Sequence, residues 1–80
     1  MKHILIVEDD TTFAVMLQTW LSKKKFSVAS VSGIAAAKKT LIESSVDLVL
    51  CDLRLPDGDG IDLLGWVSNR NVNVPLIVMT

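Results

Sequence analysis

Val46-Asp47-Leu48-Val49-Leu50-Cys51-Asp52-Leu53-Arg54-Leu55-Pro56-Asp57-Gly58-Asp59-Gly60 decides how this chain folds. Its first part is a short apolar run broken only by Asp47, the pattern of a strand buried on both faces. Its last part, with one Pro, two Asp and two Gly, is built of turn residues. Asp52 stands at the boundary between them. Upstream, His3-Ile4-Leu5-Ile6-Val7 repeats the strand pattern and ends in Glu8-Asp9-Asp10. Two buried strands that both finish in carboxylates point to one acidic pocket assembled from distant segments.

Helical spacing follows each strand. Asp10, Thr11 and Thr12 offer N-cap oxygens. After them Phe13, Met16, Leu17, Trp20 and Leu21 recur at helical period, while Gln18, Thr19 and Ser22 lie off that stripe. Lys23-Lys24-Lys25 closes this helix, where cations complement the dipole. Phe26–Val31 alternates and suits an edge strand. Ser32 can cap a second helix, Gly33 to about Ser44, with Ile34, Ala37, Leu41 and Ile42 inward. A third helix from about Gly60 to Asn69 is expected to bury Ile61, Leu64 and Val67. Pro75 then opens a last strand, Leu76–Met79. Met16 and Met79 read as core filler, Trp20 and Trp66 as packing residues, Trp66 partly exposed. His3 reads as a strand-end surface residue.

The order β-α-β-α-β-α-β places the chain in the α/β class, as a doubly wound parallel sheet with right-handed crossovers. Ligands of such sheets bind beyond the carboxyl ends of the strands, where the winding reverses. With strands one and three adjacent, that crevice receives Glu8, Asp9 and Asp10 from one side and Asp52 from the other.

Composition narrows the function. Eighty residues make at most one small domain, and 50% apolar with 21% charged residues argues against disorder. A net charge of −1 gives no electrostatic case for nucleic acid or an anionic membrane. Of the nine acids, Glu8, Asp9, Asp10, Asp52, Asp57 and Asp59 fall in the two segments described. The single cysteine, Cys51, forms no internal disulfide and reads as an inert core thiol, which fits a reducing cytoplasm. No secretory leader or membrane-length apolar stretch is visible in these residues.

Clustered carboxylates repel, and at least one takes up a proton unless a cation is present. Oxygen donors without His or Cys neighbours favour Mg²⁺, which keeps waters and fills its remaining positions with phosphate oxygens. Such a pocket suits phosphoryl chemistry with a carboxylate as nucleophile. Taken singly, each acid is an ordinary strand-end or turn residue in solvent. The pairing of two clusters at equivalent strand ends is what argues for a site.

Three segments carry a family resemblance. Ile4-Leu5-Ile6-Val7-Glu8-Asp9-Asp10, Asp52–Gly60 and Pro75-Leu76-Ile77-Val78-Met79-Thr80, in this order and spacing, resemble the receiver domain of two-component response regulators. The interval from Asp52 to Thr80 is similar to regulators of the nitrogen-regulation type. The resemblance implies a flavodoxin-like sheet of strand order 2-1-3-4. It implies that Asp52 is the phosphoacceptor for a sensor histidine kinase or phosphotransfer protein. Asp9 and Asp52 would bind Mg²⁺ directly, Glu8 through water, and Arg54 through its backbone carbonyl. Asp10 lies one place beyond the usual acid pair. Thr80 would be the switch hydroxyl, and Pro56 and Gly60 would shape the loop, with Gly60 supplying unusual backbone angles.

The family also implies a further helix, a fifth strand bearing a Lys and a final helix beyond Thr80. Residues 1–80 therefore read as an incomplete receiver domain that switches conformation to control an output, with transcription regulation among the candidate outputs. The resemblance implies a module working in the cytoplasm, not a turnover enzyme. The fourth strand is expected to be an exposed edge capable of self-association. The alternative is a pseudo-receiver, an interaction module that works without phosphate. An aspartyl-intermediate phosphohydrolase typically has a second acid two residues after the nucleophile, where this chain has Arg54.

Overall fold

The computed structural model describes residues 1–70 and 73–79. Its elements run β1 (His3–Val7), α1 (Thr11–Lys23), β2 (Ser27–Val31), α2 (Ile34–Glu43), β3 (Leu48–Asp52), β4 (Arg54–Leu55), β5 (Gly58–Asp59), α3 (Gly60–Asn69) and β6 (Leu76–Met79). Four parallel strands form the main sheet in the order β2-β1-β3-β6. This is the expected 2-1-3-4 arrangement. The β4-β5 hairpin, which has no counterpart among the sequence expectations, folds the turn after Asp52 into a small antiparallel ribbon.

Alternation along β1 and β3 divides the core. Leu5, Val7, Val49 and Cys51 pack with Ile34, Ala37 and Leu41 of α2 and Leu63 and Val67 of α3. Ile4 and Ile6 face the other way, onto Leu21 of α1, with Leu17, Val28, Leu48 and Leu50 around them. Both faces of β1 are therefore buried, whereas Leu48 and Leu50 on the second face of β3 are only partly buried.

Helices α1 and α3 sit on phases different from the expected ones, whereas α2 buries Ile34, Ala37 and Leu41 as expected. In α1 the buried line is Ala14 and Leu21 with Leu17 partly buried, and Met16 and Trp20 are 61% and 56% exposed. Met16 is thus not core filler, and Trp20 instead lies under the Lys24 ammonium at 5.3 Å. In α2, Ile42 points to solvent, and in α3 Leu63 replaces Leu64, with Ile61 exposed. Each helix buries a small residue (Ala14, Ala37 or Gly60), and at Gly60 the α3 backbone lies against that of Asp52. A reading based on the largest apolar side chains misses Ala14 and Gly60, while Ala37 was expected inward. Trp66 is half-buried as expected, between Lys38 and Arg70 at 5.6 and 5.0 Å from its ring.

Two caps also differ from expectation. Gly33, not Ser32, is the N-cap of α2, and the capping oxygens come from Asp57, which accepts from the Ile34 N–H at 2.8 Å and the Ala35 N–H at 3.0 Å. At the end of α1, the Lys25 N–H donates to the Ser22 carbonyl and the Phe26 N–H to the Leu21 carbonyl. This is a Schellman closure, with Lys25 left-handed at φ 69° where glycine is usual.

Candidate functional site: an acidic crevice at the strand ends

The site follows from strand register. Val7 stands opposite Cys51 in the β1–β3 ladder, so the chain leaves the sheet at Glu8 beside Asp52. The Glu8 N–H donates to the Val31 carbonyl at 2.9 Å, which extends the β1–β2 pairing by one residue and fixes where the acids emerge. One carboxylate oxygen each from Glu8, Asp9 and Asp52 then lies within 4.8 Å of the others. Glu8 and Asp52 are partly buried and Asp9 is exposed.

The electrostatics carry the mark of this crowding. Burial, with smaller contributions from the carboxylates of Asp52 and Asp9, pushes Glu8 above the ordinary glutamate value, against a lowering hydrogen bond from the Asp10 N–H. Burial first, then the Asp52 and Glu8 charges, pushes the Cys51 thiol up to about 11. Cys51 is therefore protonated and inert at neutral pH, as its place in the strand implied. An all-oxygen donor set whose like charges raise a carboxyl group fits a hard divalent cation, so Glu8, Asp9 and Asp52 can hold a metal ion.

Of the other residues singled out from sequence, Asp10 lies outside this triplet. It caps α1, accepting from the Phe13 N–H at 3.1 Å. Arg54 is exposed on β4, opposite Asp59. Thr80 lies outside the described residues; its neighbour Met79 pairs with Asp52 in the β3–β6 ladder. Gly60 serves a role other than the expected one. The left-handed angle in the loop belongs to Gly58, at φ 148°, whereas Gly60 opens α3 against the backbone of Asp52. A Cβ on Gly60 would stand 2.5 Å from the Asp52 carbonyl oxygen. The Gly60 N–H also donates to the Leu53 carbonyl at 2.7 Å, closing the loop that starts at Asp52. Asp57 was legible from sequence only as a turn residue; the signal for its capping role was a helix start at Gly33, which has no side chain to cap itself.

A doubly wound sheet with an acid triplet at the carboxyl ends of its two central strands defines a class of α/β domains with a carboxylate crevice that could hold a metal ion. Within that class the assignment is specific: residues 4–80 match the response regulator receiver domain, and the chain belongs to that family. It is 37% identical over 81 residues to the transcriptional regulatory protein GltR of Pseudomonas aeruginosa, covering 99% of this chain and 34% of that protein. It is 33% identical over 79 residues to the response regulator protein PilR of the same organism, covering 99% of this chain and 18% of PilR. The chain thus spans about a third or less of these relatives. Among solved structures, the MaeR response regulator bound to beryllium trifluoride superposes with a TM-score of 0.93 at 41% identity, over 100% of this chain and 67% of that one. The non-phosphorylated HemR receiver domain from Leptospira biflexa gives 0.89 at 33% identity, over 98% and 63%. Among the described residues no helix is long and apolar enough to cross a membrane.

Proposed function

We propose that this chain is the phosphoacceptor module of a two-component response regulator, with Asp52 receiving a phosphoryl group from a histidine kinase or phosphotransfer protein. The observation that supports it most is the meeting of Glu8, Asp9 and Asp52 within 4.8 Å at adjoining strand ends. An Asp52 carboxylate oxygen bonds to phosphorus as the P–N bond of the donor phosphohistidine breaks, and the departing imidazole nitrogen takes a proton from solvent. Asp9 and Asp52 would hold Mg²⁺ directly, Glu8 through a water and Arg54 through its backbone carbonyl, with Asp10 an outer candidate. The ion, when bound, offsets the charge of the acids and of the incoming phosphoryl oxygens.

Thr80 is assigned as the switch hydroxyl by sequence position alone. The module controls an output and is not a turnover enzyme. It acts in the cytoplasm and makes no direct contact with nucleic acid or membrane through this segment.

The test is incubation of the full-length protein with acetyl phosphate, with and without Mg²⁺, read by intact mass. A Mg²⁺-dependent gain of one phosphoryl group that disappears in Asp52→Asn is expected. A gain retained in Asp52→Asn, or none in the wild type, refutes the proposal.

A further inference from the structure

We propose that Asp57 is a positioning residue that clamps the loop following Asp52 to the β2–α2 junction, so that one short segment holds both walls of the acid crevice. The junction is Val31–Ala35. At its first residue, the Val31 carbonyl accepts from the Glu8 N–H at 2.9 Å and holds the wall built from β1. At its far end, the Ile34 and Ala35 N–H groups donate to the two Asp57 oxygens at 2.8 and 3.0 Å and hold the wall built from β3.

The loop between Asp52 and Asp57 has little freedom left. Arg54 and Leu55 are paired with Asp59 and Gly58, Leu55 packs against the core, and the Gly60 N–H bonds the Leu53 carbonyl. A displacement of Asp57 is therefore passed back to Arg54 and Asp52. The bond is between segments 22 and 23 residues apart, so it reports tertiary position, unlike an ordinary cap from the preceding residue.

Two further observations support the clamp. The Ala35 and Ile34 N–H bonds hold the Asp57 carboxyl below the usual aspartate range, so the bonds favour its charged form. The site is also shaped for this carboxylate. A Cβ on Gly33 would lie 2.9 Å from Asp57 Oδ1 and 3.2 Å from its Cγ and Oδ2, with nothing else closer. Gly33 itself is extended, at φ −162° and ψ 175°, a conformation open to any residue. The missing side chain at position 33 is thus explained by the room Asp57 needs.

The proposal rests on the Mg²⁺ reading above for one of its two readouts. Mg²⁺ affinity of the full-length protein should fall about five-fold in Asp57→Ala, the scale of losing a helix cap. Asp57→Asn, which keeps a carbonyl oxygen, should recover part of the loss. Gly33→Ala should weaken binding in the wild type and have no further effect in the Asp57→Ala background, because the three atoms nearest its Cβ are then gone. Equal effects of Gly33→Ala in both backgrounds, or wild-type affinity in Asp57→Ala, overturn the clamp. If the wild type binds no Mg²⁺, the proposed function fails, and amide exchange decides the clamp. Asp57→Ala should then speed exchange at Gly60 as well as at Ile34 and Ala35. Faster exchange confined to Ile34 and Ala35 would leave Asp57 a local cap and overturn the inference.

Discussion

Gly60→Ala is a severe test of how the loop is built, because one methyl group meets backbone. The added Cβ would stand 2.5 Å from the Asp52 carbonyl oxygen and 3.2 Å from Cys51 Sγ. Neither atom can swing away, since Asp52 ends β3 and Cys51 is fully buried. Relief requires α3 to move off the strand, and overpacking of this kind costs roughly 1–3 kcal/mol. The same movement stretches the 2.7 Å bond from the Gly60 N–H to the Leu53 carbonyl, a further ~1 kcal/mol. Alanine regains about 0.5–1 kcal/mol as the better helix former. The net expectation is a loss of about 2 kcal/mol, or roughly 8–16 °C in Tm for a domain of this size. Gly65→Ala is the internal control. Gly65 is exposed within α3 with nothing within 4 Å of its would-be Cβ, so the same substitution should stabilise by about 0.5–1 kcal/mol. Urea denaturation of both variants gives the comparison. A Gly60→Ala protein as stable as wild type, or equal shifts for both glycines, refutes the close approach of α3 to Asp52.

Three further outcomes are expected. Leu63→Ala should destabilise by about 2–5 kcal/mol, as for a fully buried leucine, and Leu64→Ala by much less; a reversed order by urea titration would restore the helical phase read from sequence. Lys25→Gly should raise stability by roughly 0.5–1 kcal/mol, because the left-handed φ of 69° suits glycine; a loss on thermal melting would contradict the Schellman closure.

Glu8 sits above its ordinary 4.5 in the folded chain, so folding takes up protons and stability declines as pH rises from 4.5 through the raised value. Asp57 acts oppositely, its contribution being present above 3.8 and lost as pH falls through its lowered value. In the absence of metal, stability should therefore peak near the carboxylate range, and Mg²⁺ should flatten the decline on the higher-pH side. A decline unchanged by Mg²⁺ or by Glu8→Gln would remove Glu8 as its cause.

The fold was legible because its evidence is periodic. Short apolar runs ending in acids and alternating with helical stripes pointed to central parallel strands, while the strand order came from the family resemblance. The acid triplet was legible because Glu8, Asp9 and Asp52 lie at equivalent strand ends, where register alone brings them together. The helix phases were less legible. In α1 and α3 the small residues Ala14 and Gly60 are buried while Met16, Trp20 and Ile61 are exposed, and small residues contribute little to an apolar stripe. The Asp57 cap was illegible for a related reason. It joins residues far apart in sequence, and a turn Asp looks the same whether it faces solvent or a helix end.

The central claim is that Asp52, among three neighbouring carboxylates, is the one that takes the phosphoryl group. Borohydride reduction of the protein after acetyl phosphate treatment with Mg²⁺, followed by peptide mapping, tests it most directly. Conversion at Asp52 alone, dependent on Mg²⁺, is the expected result. Conversion at Glu8 or Asp9, or at no carboxylate, contradicts it.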